Sequence, residues 1–130
     1  MEIKQNTSFT LYYYIVDSSG NPKTGLTQYD VHIYFKRATD DSFTEYTTGF
    51  FEVGLGVYKV LYYDYYYVSA VLGPLITVIA PDTAGAFLQS VREDEVVDEL
   101  TTVKLNNLKT KLDALSNEVQ IIEDIVRSVE

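Results

Sequence analysis

From Leu105 onward the apolar residues keep a seven-residue period. Leu105, Leu112, Val119 and Val126 recur at that spacing, and Leu108, Leu115, Ile122 and Val129 repeat it with an offset of three. These are the a and d positions of a heptad with no polar intruder, and a helix with such a stripe buries it against other helices. Nothing from Val91 to Val129 breaks a helix, because the last of the 7 glycines is Gly85 and the last of the 3 prolines is Pro81. At about 1.5 Å per residue, that stretch would extend about 58 Å, further than a domain of this size spans. The sequence therefore predicts self-association into a coiled coil; the alternative is an amphipathic helix lying on its own domain.

The same segment carries a start signal. Ser90-Val91-Arg92-Glu93 has the spacing of a capping box, and Glu93, Asp94 and Glu95 would sit at the positive end of the helix dipole. Val96, Leu100 and Val103 form a face in a different register, so the seam shifts phase before Leu105. The β-branched d layers lean towards three parallel strands. The flanks argue otherwise: a parallel bundle sets Lys104 against Lys109 and Glu118 against Glu123, whereas antiparallel helices bring Lys111 towards Glu118 and Lys109 towards Glu123. Such rim pairs are each worth about 0.2–1 kcal/mol, less than one buried aliphatic layer. A parallel trimer is the favoured expectation, with antiparallel pairing as its competitor.

The preceding residues read as strands. Phe9, Leu11, Tyr13 and Ile15 alternate with Thr10, Tyr12, Tyr14 and Val16, and Tyr29, Val31, Ile33 and Phe35 are expected inward with Asp30, His32, Tyr34 and Lys36 outward. Asp17-Ser-Ser-Gly-Asn-Pro22 is dense in turn formers, Phe43–Tyr46 suits a short edge strand, and Phe50–Tyr62 folds back at Gly54-Leu55-Gly56. Tyr65–Leu72 and Leu75–Ala80 supply two further strands around Gly73-Pro74. About seven short strands with frequent turns describe an antiparallel sandwich. The expected architecture is mainly β with an α extension: an antiparallel, immunoglobulin-like β-sandwich over residues 1–85, then a long coiled-coil stalk over 86–130.

Composition narrows the chemistry. With no Cys, thiol catalysis, disulfides and thiolate zinc sites are excluded. The formal net charge of −9 argues against binding a phosphate backbone. No apolar stretch reaches the roughly 20 residues of a membrane helix, and the first residues lack the hydrophobic core of a secretion signal. The one histidine, His32, has no serine elbow beside it and reads as a surface strand residue. Asp17-x-x-Gly20-Asn21 lacks the alternating ligands of a calcium loop, and Asp40-Asp41 reads as a turn. No catalytic residue, cofactor or metal site is expected, and the chain is read as non-enzymatic.

The 12 tyrosines, in a chain without Trp, are the compositional oddity. Tyr12 and Tyr14, with Tyr62, Tyr63, Tyr65, Tyr66 and Tyr67, lie in runs that put tyrosine on both faces of a strand. One face is core; the other is a partner surface, a stabilising cross-strand array, or a platform for stacking glycans.

The runs Asp17-Ser-Ser-Gly-Asn-Pro-Lys-Thr-Gly-Leu26, Tyr29-Asp-Val-His-Ile-Tyr-Phe-Lys-Arg37 and Phe51-Glu-Val-Gly-Leu-Gly-Val-Tyr-Lys-Val60 resemble small immunoglobulin-like domains of tailed-bacteriophage virions. In baseplate, tail-fibre and head-fibre proteins a similar module precedes a helical stalk. The resemblance covers about residues 7 to 80. It implies a structural role in the virion as a fibre, decoration or adaptor subunit, often trimeric, with other virion proteins as partners and no functional residues to transfer. A carbohydrate-binding or adhesion module using the tyrosine-rich surfaces is the alternative expectation.

Overall fold

Alternation of the kind seen in Phe9-Thr-Leu-Tyr-Tyr-Tyr14 puts every second side chain on one face of a strand. In the computed structural model, which describes residues 1–129, that face is the core. The strands are β1 (Glu2–Lys4), β2 (Phe9–Tyr14), β3 (Val31–Lys36), β4 (Thr44–Tyr46), β5 (Phe50–Gly54), β6 (Val57–Tyr62), β7 (Gly73–Pro81) and β8 (Ser90–Val97), followed by one helix, α1 (Thr101–Ser128). They form a five-stranded sheet in the order β1-β8-β7-β3-β4 and a three-stranded sheet in the order β2-β6-β5. All pairings are antiparallel except β1 on β8, which is parallel. The chain divides into a β unit, Met1–Asp98, and a helical unit beginning at Glu99.

Both sheets feed one apolar cluster. Leu11, Tyr58, Val60 and Tyr62 from the small sheet meet Ile33, Phe35, Leu75 and Ile79 from the large one. The hydroxyls of Tyr13, Tyr62 and Thr77 meet inside this core. Tyr13 Oη lies 2.7 Å from Tyr62 Oη and donates to Thr77 Oγ1 at 2.7 Å, so the buried polar atoms satisfy one another. Burial pushes the Tyr13 phenol up to about 12 and lifts Tyr62 well above its usual range.

Several sequence expectations need correction. Tyr29 does not point inward with Val31; it is 80% exposed. It belongs to a turn in which the Asp30 carboxylate accepts from the Thr27 amide at 2.8 Å. Tyr65–Leu72 is not a strand. Asp64–Tyr66 forms a 3₁₀ turn that ends with Tyr67 in the left-handed region at φ 59. This segment is tied to the chain before β2, with Asp64 N donating to Ser8 Oγ at 3.0 Å and Ser69 Oγ to the Thr7 carbonyl at 2.8 Å. Gly73-Pro74, expected as a break, opens β7 instead.

The largest correction falls on residues 90–97. Ser90-Val-Arg-Glu is not a capping box, and Glu93–Glu95 do not line a helix dipole: the segment is β8, paired with β7 from Ser90 opposite Ile79 to Val96 opposite Gly73. Its inward positions include Arg92 and Asp94, which pair with each other at 2.8 and 2.9 Å. Charged side chains therefore occupy places where alternation would show apolar ones. Because β8 belongs to the large sheet, the β unit runs to Asp98 rather than to residue 85. The helix begins at Thr101, with Leu100 at its N-cap and no side-chain cap. At about 1.5 Å per residue, its 28 residues extend about 42 Å, shorter than the expected stalk.

Candidate functional site

The eight heptad residues, Leu105, Leu108, Leu112, Leu115, Val119, Ile122, Val126 and Val129, are all exposed, by between 47% and 80%. The first seven lie within α1 and Val129 is its C-cap residue. None of the residues of α1 is buried. In proteins most helical stability comes from packing of an amphipathic face rather than from propensity, and α1 packs no such face. An apolar stripe along it is thus left in solvent.

The tyrosines divide into three groups rather than forming one surface. Tyr62 is fully buried, which corrects its assignment to a partner face: it lies opposite Phe9 in the ladder and stacks on that ring at 5.0 Å. Tyr63, Tyr65, Tyr66 and Tyr67 belong to the turn around Asp64–Tyr66. There Tyr63 stacks on Tyr65 at 5.4 Å, Tyr65 lies 4.5 Å from Tyr66, and Tyr66 meets Tyr46 edge-on at 5.3 Å. Tyr12 and Tyr14 project from the outer face of β2 and are exposed.

That outer face holds residues the sequence did not single out. Lys59 on β6 lies opposite Tyr12 on one side and Phe51 on the other, and its ammonium sits 5.9 Å from the Phe51 ring centroid. Thr10, Tyr12, Phe51, Glu52, Lys59 and Leu61 line a shallow depression of about 430 Å³. Val53 and Leu55 extend the exposed apolar surface along β5 and its turn. Leu55 is 86% exposed and holds a φ of 55, a left-handed conformation that side chains other than glycine seldom adopt. Period two in Phe51-Glu-Val signals a strand, but the inward choice falls on Phe50, leaving Phe51 outside.

The Asp17–Leu26 segment and the Glu52–Tyr58 hairpin bond to one another. Asp17 Oδ1 accepts from the amides of Ser19 at 2.9 Å and Asn21 at 3.0 Å, an Asx turn that occupies this oxygen with backbone. Gly25 N donates to Glu52 Oε2 at 3.0 Å, while Tyr58 Oη accepts from Leu26 N at 3.2 Å and donates to the Lys23 carbonyl at 2.8 Å. Gly56 allows this approach: a Cβ there would lie 2.9 Å from Pro22 Cβ and 3.1 Å from the Ile15 carbonyl oxygen. The turn and the hairpin are thus bonded to each other, and these residues hold structure.

His32 is more engaged than a plain surface residue. Its Nδ1 lies 2.7 Å from Glu45 Oε1 on β4 and its Nε2 2.7 Å from Asp82 Oδ1, just past β7. Hydrogen bonds to Glu45 and then Asp82 raise its pKa above 6.5. The two nitrogens face different carboxylates, an arrangement that favours the protonated ring. Asp40 is likewise occupied, by Arg37 Nε at 2.9 Å and Nη2 at 3.1 Å. Among the described residues, no group of His, Asp and Glu is placed to hold a metal ion, and no helix is long and apolar enough to cross a membrane.

No family model and no curated protein matches the chain. Among solved structures, the endo-beta-1,4-mannanase from Thermotoga petrophila is similar at 16% identity and a TM-score of 0.45, covering 76% of this chain but 18% of that one. The chain thus spans less than a fifth of the mannanase, and a likeness at that level carries no statement about activity.

Proposed function

We propose that the chain is a non-enzymatic structural subunit of a phage virion, a fibre, decoration or adaptor protein that self-associates through its C-terminal helix. The observation that carries this reading is the apolar stripe of α1, exposed at all eight heptad positions. Burying one such side chain is worth about 1.5–3 kcal/mol, so a seam of this length outweighs the entropy lost on association. The β unit is read as an immunoglobulin-like sandwich, supported by two sheets that share one core and by the mutual bonding of the Asp17–Leu26 turn and the Glu52–Tyr58 hairpin. Association multiplies the copies of its outer face, and linked copies raise effective concentration on a repetitive virion surface.

A second reading is favoured by the Tyr12–Lys59–Phe51 row: a glycan-binding or adhesion module that stacks sugar rings on exposed aromatics. Light scattering coupled to size exclusion tests the leading reading. It predicts a defined oligomer for the natural chain and a monomer for a Leu112→Asp/Leu115→Asp variant; a monomeric natural chain at micromolar concentration contradicts it. A flat titration of Tyr12→Ala against a panel of glycans that the natural chain binds supports the second reading, and no glycan binding by the natural chain removes it.

A further inference from the structure

The start of α1 at Thr101 changes the charge of the helix. Residues Glu93, Asp94 and Glu95, which a longer helix would have carried near its N-terminus, belong to β8. What remains is polar along its length. From Thr101 to Leu115 the helix has Lys104, Lys109 and Lys111 against Asp113; from Ser116 to Val129 it has Glu118, Glu123 and Asp124 against Arg127. The seam is divided in the same way. Its first half is all leucine (Leu105, Leu108, Leu112, Leu115), and its second half is all β-branched (Val119, Ile122, Val126, Val129).

We infer that α1 pairs antiparallel with α1 of a second copy, about a two-fold axis level with Asn117. The inference rests on the self-association proposed above and adds its direction. In an antiparallel pair, a positions meet d positions of the other helix. One register pairs all eight: Leu105 with the partner's Val129, Leu108 with the partner's Val126, Leu112 with the partner's Ile122, and Leu115 with the partner's Val119. Every layer then joins a leucine to a β-branched residue, so side-chain volume is even along the bundle. A parallel pair stacks leucine on leucine at one end and mostly valine on valine at the other, leaving the second end thinner.

The flanks agree with the layers. In this register Lys109 lies beside the partner's Glu123. The one like-charged approach, Glu118 to its own copy, falls at mid-bundle. A parallel pair instead repeats Lys104 against Lys109 and Glu118 against Glu123 on both sides of the seam. Charge and volume are independent properties of the sequence, and both select the same direction. This replaces the parallel trimer favoured on the d layers alone.

The test uses the absence of cysteine from the natural chain. Full-length Leu108→Cys and Val126→Cys variants are oxidised separately, and again after unfolding and refolding together. The antiparallel pair predicts a disulfide-linked dimer only in the mixture. A linked dimer from Leu108→Cys alone overturns the direction while leaving self-association intact. No link in any sample, with a natural chain that is monomeric by light scattering, overturns self-association itself. Charge reversal supplies a second readout that does not depend on disulfide geometry. Lys109→Glu should weaken association about two- to tenfold, with Glu123→Lys in the same chain restoring it. Tighter association of Lys109→Glu alone is the parallel outcome and overturns the proposal.

Discussion

Asp94 is the most exacting single residue of the β unit. Its side chain is fully buried, held by Arg92 through Nε at 2.8 Å and Nη2 at 2.9 Å, with the Met1 amino nitrogen 3.3 Å from Oδ1. Arg92 also donates to the Tyr12 carbonyl at 2.7 Å, which couples β8 to the other sheet. Removing Arg92 leaves the buried Asp94 carboxylate with the Met1 amine alone, so Arg92→Met should destabilise the β unit by about 1–3 kcal/mol in chemical denaturation. His32 makes a different, pH-dependent contribution. Its pKa is raised by Glu45 and Asp82, so the stabilisation is fully present below the unfolded value of 6.5 and is lost as pH rises through the folded value. The stability advantage of the natural chain over His32→Gln should therefore be largest in mildly acidic solution and shrink towards alkaline pH. A difference that grows with pH would contradict the carboxylate clamp.

At the scale of elements, legibility followed how cleanly the core side of each segment is apolar. β2 and β3 were readable because Phe9, Leu11 and Tyr13, and Val31, Ile33 and Phe35, are uniformly buried against polar or tyrosine neighbours. The Gly54-Leu55-Gly56 turn announced itself through its glycines, which hold φ values of 133 and 83. β8 was hidden because two of its inward positions are a salt-bridged Arg92 and Asp94, so the pattern resembled the charged first turn of a helix. β1 is three residues long and gains its place by pairing with β8, a partner remote in sequence, which no local period reveals. Tyrosine runs conceal direction for a related reason: the residue suits either face, and only the opposition of Tyr62 to Phe9 decides that it turns inward. A C-terminal helix was legible because no Gly or Pro interrupts it, although its start at Thr101 was not.

The whole molecule joins two units with opposite demands. The β unit closes its own core and pairs the buried hydroxyls of Tyr13, Tyr62 and Thr77. The helical unit buries nothing of itself, and helices in proteins draw most of their stability from packing an apolar face. Its order should therefore depend on a second copy, which makes concentration the variable that separates the two units. Thermal unfolding of the full chain, followed by far-ultraviolet circular dichroism over a wide range of protein concentrations, tests this dependence directly. The account predicts a helical transition whose midpoint rises with concentration, beside a β transition that does not move. A helical signal that melts at the same temperature at every concentration would contradict it.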